Sequence, residues 1–293
     1  DFARQMANRN VIFRIPTPVF GAGLIEQIPD NAILANRDAQ GARKRDLGIR
    51  GRANFRVAGR AISGQTNNNG NDGTISRFGW KAQNVSMLLF SGEAYNVEMG
   101  ITNELFQNER DLTPECQFNT VPNDTQDLDA TDALAATPAI QHFANFQRFL
   151  APPVPVADTP GGGESIARGR NLFDAVGCAL CHTPSLPTAA NSTVAALRGK
   201  VANLYSDLLV HDMGVGLADG VSQGQAGPRE FRSAPLWGLG QRIFFLHDGR
   251  TSDLVQAIRQ HRSEGSEAYR VVNNYDNLRE SLKQDLLNFL RSL

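Results

Sequence analysis

The sequence predicts a mainly α-helical, loop-rich protein in two domains, with little β structure. Three observations lead there. Apolar residues recur at helical spacing near 139–150, 164–176 and 277–293, whereas the alternation expected of strands is weak throughout. Stretches rich in Asn, Gly and Pro separate these segments. Residues 151–163, APPVPVADTPGGG, join stiff prolines to three flexible glycines and mark a boundary near the middle of the 293 residues. That length accommodates two domains of ordinary size.

The first domain, residues 1–150, is irregular and rich in Asn, Gly and Arg. It begins at Asp1 without an initiator Met or a signal peptide, so a mature form or an N-terminally truncated piece is expected. Residues 61–76, AISGQTNNNGNDGTIS, read as a polar surface loop with nothing to bury. The longest apolar run, VSMLLF at 85–90, is interrupted by Ser86 and falls far short of the roughly 18 residues that span a bilayer. A second polar excursion, 107–135, contains Cys116. Pro138 then opens a helix through Ala139, Ile140, Phe143, Phe146 and Leu150. Beyond the linker, the second domain, 164–293, starts with a helix from Glu164 to Val176 that ends at Gly177. It closes with Leu278, Leu282, Leu286, Phe289, Leu290 and Leu293 on one helical stripe.

Composition excludes some partners. Lys+Arg 29 against Asp+Glu 30 gives a net charge of −1. Nucleic acid and anionic membranes call for clustered basic charge, so neither is expected. Two of the three cysteines share CxxC spacing, which does not make a disulfide framework.

Those two cysteines stand in Gly177-Cys178-Ala179-Leu180-Cys181-His182, and CxxCH is the attachment signature of c-type haem. Two thiols add to the porphyrin vinyl groups, and the histidine that follows sets an imidazole under the iron as proximal ligand. A redox CxxC does not ask for the histidine. A zinc site needs two more soft ligands, and Cys116 is the only other cysteine. Helix, CxxCH, loops and closing helix is also the order of a small cytochrome c domain. Covalent haem is attached outside the cytoplasm in bacteria, so a periplasmic or extracellular location is expected. Cys116 then has no cysteine partner within the chain and is expected as a thiol or bonded to something beyond it. For a second axial ligand the chain offers His142, His211, His247, His261 and Met213, besides Met6, Met87 and Met99. Spacing alone does not choose among them.

The segments GCALCHTP, YSDLLVHDMGVGLADG, EFRSAPLWGLG, FLHDGR and LLNFLRSL resemble the di-haem oxidoreductase family. It is also called a thiol oxidoreductase family, and it is related to bacterial di-haem cytochrome c peroxidases and the methylamine-utilisation di-haem enzyme. RIPTPVFGAGLIEQIPD, GIRGRAN, RFGWKAQ and EMGITNELF in the first half resemble it too, so the likeness covers nearly the whole chain. It implies two cytochrome c-like domains facing each other, each with its own CxxCH. Here only residues 1–13 precede the RIPTPVF segment, and they hold no such motif. The expectation is a truncated chain, a first haem supplied elsewhere, or a single haem.

The resemblance also implies roles. Cys178 and Cys181 anchor the haem and His182 is its proximal ligand. His261 falls where the peroxidases have a distal Met, which implies bis-histidine iron and a lowered potential. Met213 is the other candidate, and His211 beside it is implied as a haem-edge contact. His247 is implied to orient a loop or a propionate. Arg250 and Arg232 are candidate propionate partners, since guanidinium forks match carboxylates. Trp80 falls where the peroxidases carry electrons between haems. Glu98 falls at the distal glutamate that moves peroxide protons, with Glu26 a weaker candidate. Two functions follow: a di-haem peroxidase-like oxidoreductase, or a cytochrome that only relays electrons, alone or in a multihaem assembly. Either needs a redox partner protein. Thiol–disulfide chemistry fails, because thioether sulfurs cannot exchange. The family's calcium ion between domains is admitted, although no carboxylate cluster demands it.

Overall fold

The computed structural model describes residues 2–8, 11–55, 75–109, 113–117, 119–128 and 137–293. Positions 61–74 of the expected polar loop lie outside them, as do 110–112, 118 and 129–135 of the second excursion. The described residues are mainly helical. In chain order the helices are α1 Phe2–Ala7, α2 Ala22–Glu26, α3 Asp30–Asp38, α4 Gly41–Leu47, α5 Met87–Met99, α6 Ala139–Phe149, α7 Gly163–Val176, α8 Leu254–Gln260, α9 Tyr269–Asp276 and α10 Glu280–Ser292. None is long and apolar enough to cross a membrane.

Strands are short and pair antiparallel in twos: β1 Asn54–Phe55 with β2 Ile75–Ser76, β3 Leu186–Pro187 with β4 Val201–Ala202, and β5 Val210–Asp212 with β6 Glu230–Arg232. Residues 75–76, expected at the end of a surface loop, are thus a buried strand. The Ile75 side chain enters the core, and its amide donates to Asp30 Oδ2 at 3.1 Å.

Local chemistry explains the helix ends. Ser86, which interrupts the apolar run, is the N-cap of α5, its Oγ accepting from the Leu89 amide at 3.1 Å. Asp253 caps α8 by accepting from the Val255 and Gln256 amides. Gly177 closes α7 at φ 109°, where a side chain would be strained and a Cβ would meet Leu47 at 2.8 Å.

Two apolar cores follow. One gathers Ile28, Ile33, Ile75 and Met87 with Leu204, Leu208 and Trp237 from beyond the linker. In the other, Ile166 and Phe173 of α7 meet Leu286, Phe289 and Leu290 of α10, with Tyr205 and Tyr275 alongside. Phe173, Tyr205 and Phe289 stand edge to face, with centroids 5.4–6.1 Å apart. Ser165 and Arg168 of α7 both donate to Asp285 of α10, at 2.5 and 2.9 Å. The linker is docked onto α10, the Val156 amide donating to the Ser292 carbonyl at 2.8 Å.

The α7–α10 contact is close because Gly169 has no side chain. A Cβ there would lie 2.1 Å from the Asp285 carbonyl oxygen and 2.6 Å from Phe289 Cβ. Gly169→Ala should therefore destabilise the protein by about 1–3 kcal/mol through overpacking. Urea unfolding checks this as a lower midpoint at unchanged m value.

Candidate haem site

Gly177 releases the chain from α7 into a 3-10 turn, Cys178–Leu180. The His182 amide donates to the Cys178 carbonyl at 2.9 Å, which folds Cys178, Cys181 and His182 onto one face. Leu180, packed on Ile49 and Val271, holds the turn down. That face is one wall of a cavity. Ala257 and Ile258 of α8, with His261 just beyond its end, form another. Leu286 and Leu290 of α10 and the loop from Phe231 to His247 close the rest, and the lining is mostly apolar.

The two histidines are held alike. His182 Nδ1 lies 3.0 Å from the Tyr205 carbonyl oxygen, and His261 Nδ1 lies 2.7 Å from that of Ala257. A carbonyl can only accept, so Nδ1 carries the proton in both rings. Nε2 is left with its lone pair, the tautomer a metal needs. Tyr205 presents its carbonyl from a left-handed backbone, φ 52°, an uncommon conformation for a bulky residue. Burial, and then the His261 charge, push His182 down to about 4. Burial lowers His261 as well. Both rings are neutral at pH 7, as ligands must be. Burial also pushes the Cys178 thiol up to about 12, so it is no thiolate for disulfide exchange. The donor set fits a covalently attached haem: two adjacent thiols and two neutral imidazoles with free Nε2 in one apolar cavity.

The other candidates fall into place around this geometry. His211 lines the cavity, 3.6 Å from Cys181 Sγ, but both its nitrogens are taken: Nε2 lies 3.0 Å from Asp207 Oδ2 and Nδ1 2.9 Å from Glu267 Oε2. Burial opposes its charge, yet Cys181 and Asp207 outweigh it and the imidazolium is favoured. Ser233 Oγ donates to Asp207 at 2.6 Å and pairs with Ser206, completing a buried polar network that sequence reasoning missed. Met213 lines the same cavity. His247 also lines it, stacked on Phe231 at 4.3 Å and edge-on to Trp80 at 6.3 Å. Trp80 is a wall residue whose Nε1 donates to the Ile15 carbonyl at 2.7 Å.

Arg232 and Arg242 both reach the wall, whereas Arg250 does not. The Arg250 guanidinium is occupied by Asp248 at 2.7 Å and the Gly216 carbonyl at 2.6 Å. Glu98 is exposed near the end of α5 and is not among the residues lining the cavity. Glu26 is fully buried: it accepts from Arg148 of α6 at 2.6 Å and from the Met87 amide at 2.8 Å, tying α2, α5 and α6 together. His142 is exposed on α6, Met6 and Met99 are exposed, and Met87 is in the first core. Cys116 is half-buried in the 3-10 turn Pro114–Cys116, and no disulfide links the three cysteines.

No group of three or more His, Cys, Asp or Glu that could hold a metal ion occurs among the described residues. One oxygen cage is filled by the protein itself. The fully buried Lys81 ammonium donates to the carbonyls of Gly227 and Glu230 at 2.9 and 3.0 Å, lies 3.1 Å from Asp219 Oδ1, and sits 3.9 Å over the Phe231 ring.

A family model described as "Di-haem oxidoreductase, putative peroxidase" matches residues 5–293. The chain belongs to the di-haem oxidoreductase family, and its role is a haem-based redox one. No curated protein matches it. Among solved structures, the chain is similar to hydrazine synthase of Kuenenia stuttgartiensis pressurised with 20 bar xenon, at 18% identity and a TM-score of 0.34. That match spans 53% of this chain and 55% of the other.

Lys81 carries a testable consequence. Lys81→Met leaves a ring of carbonyls without a donor in a dry site, although Asp219 keeps Arg14. The expected loss is about 3 kcal/mol, measured by urea unfolding.

Proposed function

We propose that this member of the di-haem oxidoreductase family is an extracytoplasmic c-type cytochrome that would exchange electrons through a haem held by Cys178, Cys181 and His182, with His261 as a further iron ligand. One observation carries the proposal: two half-buried imidazoles line one apolar cavity beside the two thiols, each with Nδ1 on a carbonyl and Nε2 left with its lone pair. When bound, the haem supplies one-electron exchange at its iron.

The chain's own residues do the rest. The Tyr205 and Ala257 carbonyls hold the ligand tautomers and make both imidazoles better donors. Two imidazoles favour ferric iron and set a low potential. The apolar wall keeps water from the metal. With His182 and His261 both committed, no position is open for peroxide, so this site is an electron carrier. Trp80, in the cavity wall and edge-on to His247, is the route by which electrons leave towards the first half. Glu98 lies apart from this cavity. Its peroxide role belongs to the reading in which a further haem sits within a first cytochrome-like domain, residues 1–150, facing the haem domain at 164–293. An extracytoplasmic location follows from the attachment chemistry. A redox protein, or a neighbour in a multihaem assembly, supplies or receives the electron.

The test is expression with a haem-attachment system. Pyridine haemochrome should give one covalent haem per chain, lost in the Cys178→Ala, Cys181→Ala double variant. The ferric wild type should be low-spin and six-coordinate. His261→Ala should turn it high-spin and able to bind peroxide, whereas Met213→Ala should leave it low-spin. A low-spin spectrum surviving in His261→Ala but lost in Met213→Ala would pass the sixth position to Met213.

A further inference from the structure

We infer that Arg232 and Arg242 together form the anion site that receives the two propionate carboxylates of the haem, so that Arg242 takes the place the sequence expectation gave to Arg250 beside Arg232. The inference rests on the reading that this cavity holds haem, and it adds which edge of the cavity takes the charged side of the macrocycle.

The argument starts from how this protein treats buried cations. Arg77, Lys81 and Arg148 are the most deeply buried of the described cations. Each holds a carboxylate: Asp30, Asp219 and Glu26 respectively. Arg232 is nearly as buried, at 7% exposure. Its Nε donates to the Gly79 carbonyl at 3.0 Å and its amide to the Trp80 carbonyl at 2.8 Å. Arg242 donates to the Pro235 carbonyl at 3.1 Å. Among the described residues, neither guanidinium has a carboxylate within ion-pair distance.

The two guanidiniums repel each other across the wall of an apolar cavity. Arg232 is buried and Arg242 half-buried, and like charges held so are costly unless an anion neutralises them. The carbonyl bonds hold each side chain but leave most of the five guanidinium N–H donors unspent, and carbonyls carry no net charge. What the pair lacks is a partner with two negative charges, each able to accept a forked pair of N–H bonds. Haem presents two carboxylates on one edge, which matches that demand in number and charge. Arg250 cannot serve, because Asp248 and Gly216 already occupy it outside the cavity wall.

The experiment measures the haem midpoint potential of the full chain, with covalent haem load as a separate readout. Removing one guanidinium leaves a propionate charge uncompensated, which favours ferric iron. Arg232→Gln and Arg242→Gln should each move the ferric–ferrous equilibrium towards ferric by about tenfold, or about 59 mV for one electron. Arg250→Gln should leave it unchanged. Arg232→Lys and Arg242→Lys retain the charge and should recover most of the shift, which also covers the case in which a Gln variant fails to fold. Equal potentials in wild type and both Gln variants, at full haem load, would overturn the inference and leave the proposed function standing. So would a wild-type potential that depends on phosphate against chloride at equal ionic strength, because a small inorganic anion would then occupy the pair. If the wild type takes up no covalent haem, the proposed function fails first.

Discussion

The bond from His182 Nδ1 to the Tyr205 carbonyl is the constraint on which the site depends. It fixes which nitrogen faces the cavity, and it does so with backbone, which cannot rotate away. The cost is local. Tyr205 adopts φ 52° to aim that carbonyl, and side-chain packing holds it there. Its ring stands edge-on to Phe173 and Phe289, the residues that join α7 to α10. The closing helix thus supports the His182 tautomer through packed aromatic rings and one residue in a left-handed backbone. Gly169 allows that helix pair to approach closely enough for the rings to meet. His261 repeats the device more cheaply, using the Ala257 carbonyl one turn back along its own helix.

A second constraint acts from the other side of the CxxCH turn. Asp207 donates its amide to the Cys181 carbonyl at 2.9 Å, while its carboxylate takes His211 and Ser233. Glu267 closes the far side of the same imidazole. An imidazole flanked by two carboxylates is fixed in orientation as well as charge. Gly51 packs so closely on His211 that a Cβ would come within 2.3 Å of the ring. The network is fully paired, the condition under which buried polar groups add rigidity. With both ring nitrogens taken, His211 has no lone pair to offer a metal, although it lies nearest Cys181.

How much of this was legible in the sequence depends on whether the signal is local. CxxCH is contiguous, and the structure folds it into one turn. The helix at 163–176 buries Ile166, Phe173 and Val176 of its expected stripe, and the closing stripe resolved into α10 with a separate α9 before it. The helix at 139–149 formed, but it buries Ile140, Ala144 and Arg148 and leaves Phe143 and Phe146 of the expected stripe exposed, because Arg148 turns inward to Glu26. Helix α5 had no visible stripe because its apolar residues run almost all round it, and the serine that seemed to break the run is its cap. In the sequence Glu26 is a weak candidate for proton transfer and Lys81 is not singled out, because nothing in the chain around them announces a partner more than sixty residues away. By sequence, Arg250 and Arg232 are the propionate candidates, and Arg242 is not among them. Only the fold shows that an aspartate two residues before Arg250 takes its guanidinium, while Arg242 turns to the cavity.

These placements share a logic of charge. Arg77, Lys81 and Arg148 meet carboxylates of the chain and Lys44 meets the Asn36 and Arg37 carbonyls, whereas Arg232 and Arg242 face the cavity with no carboxylate in ion-pair distance among the described residues. The anions nearest it, Asp207 and Glu267, are committed to His211 at the Cys181 edge. The uncompensated guanidiniums stand along the loop from β6 to Arg242. A ligand entering this cavity therefore meets thiols, imidazoles and unpaired positive charge in different places. An uncharged or symmetric ligand could enter in several ways, each wasting one of those sets. A flat metallated ring with vinyl groups and two acid groups offers a partner to each of the three sets. On the proposed reading, the charge asymmetry of the cavity would orient such a ligand as the CxxCH turn would attach it.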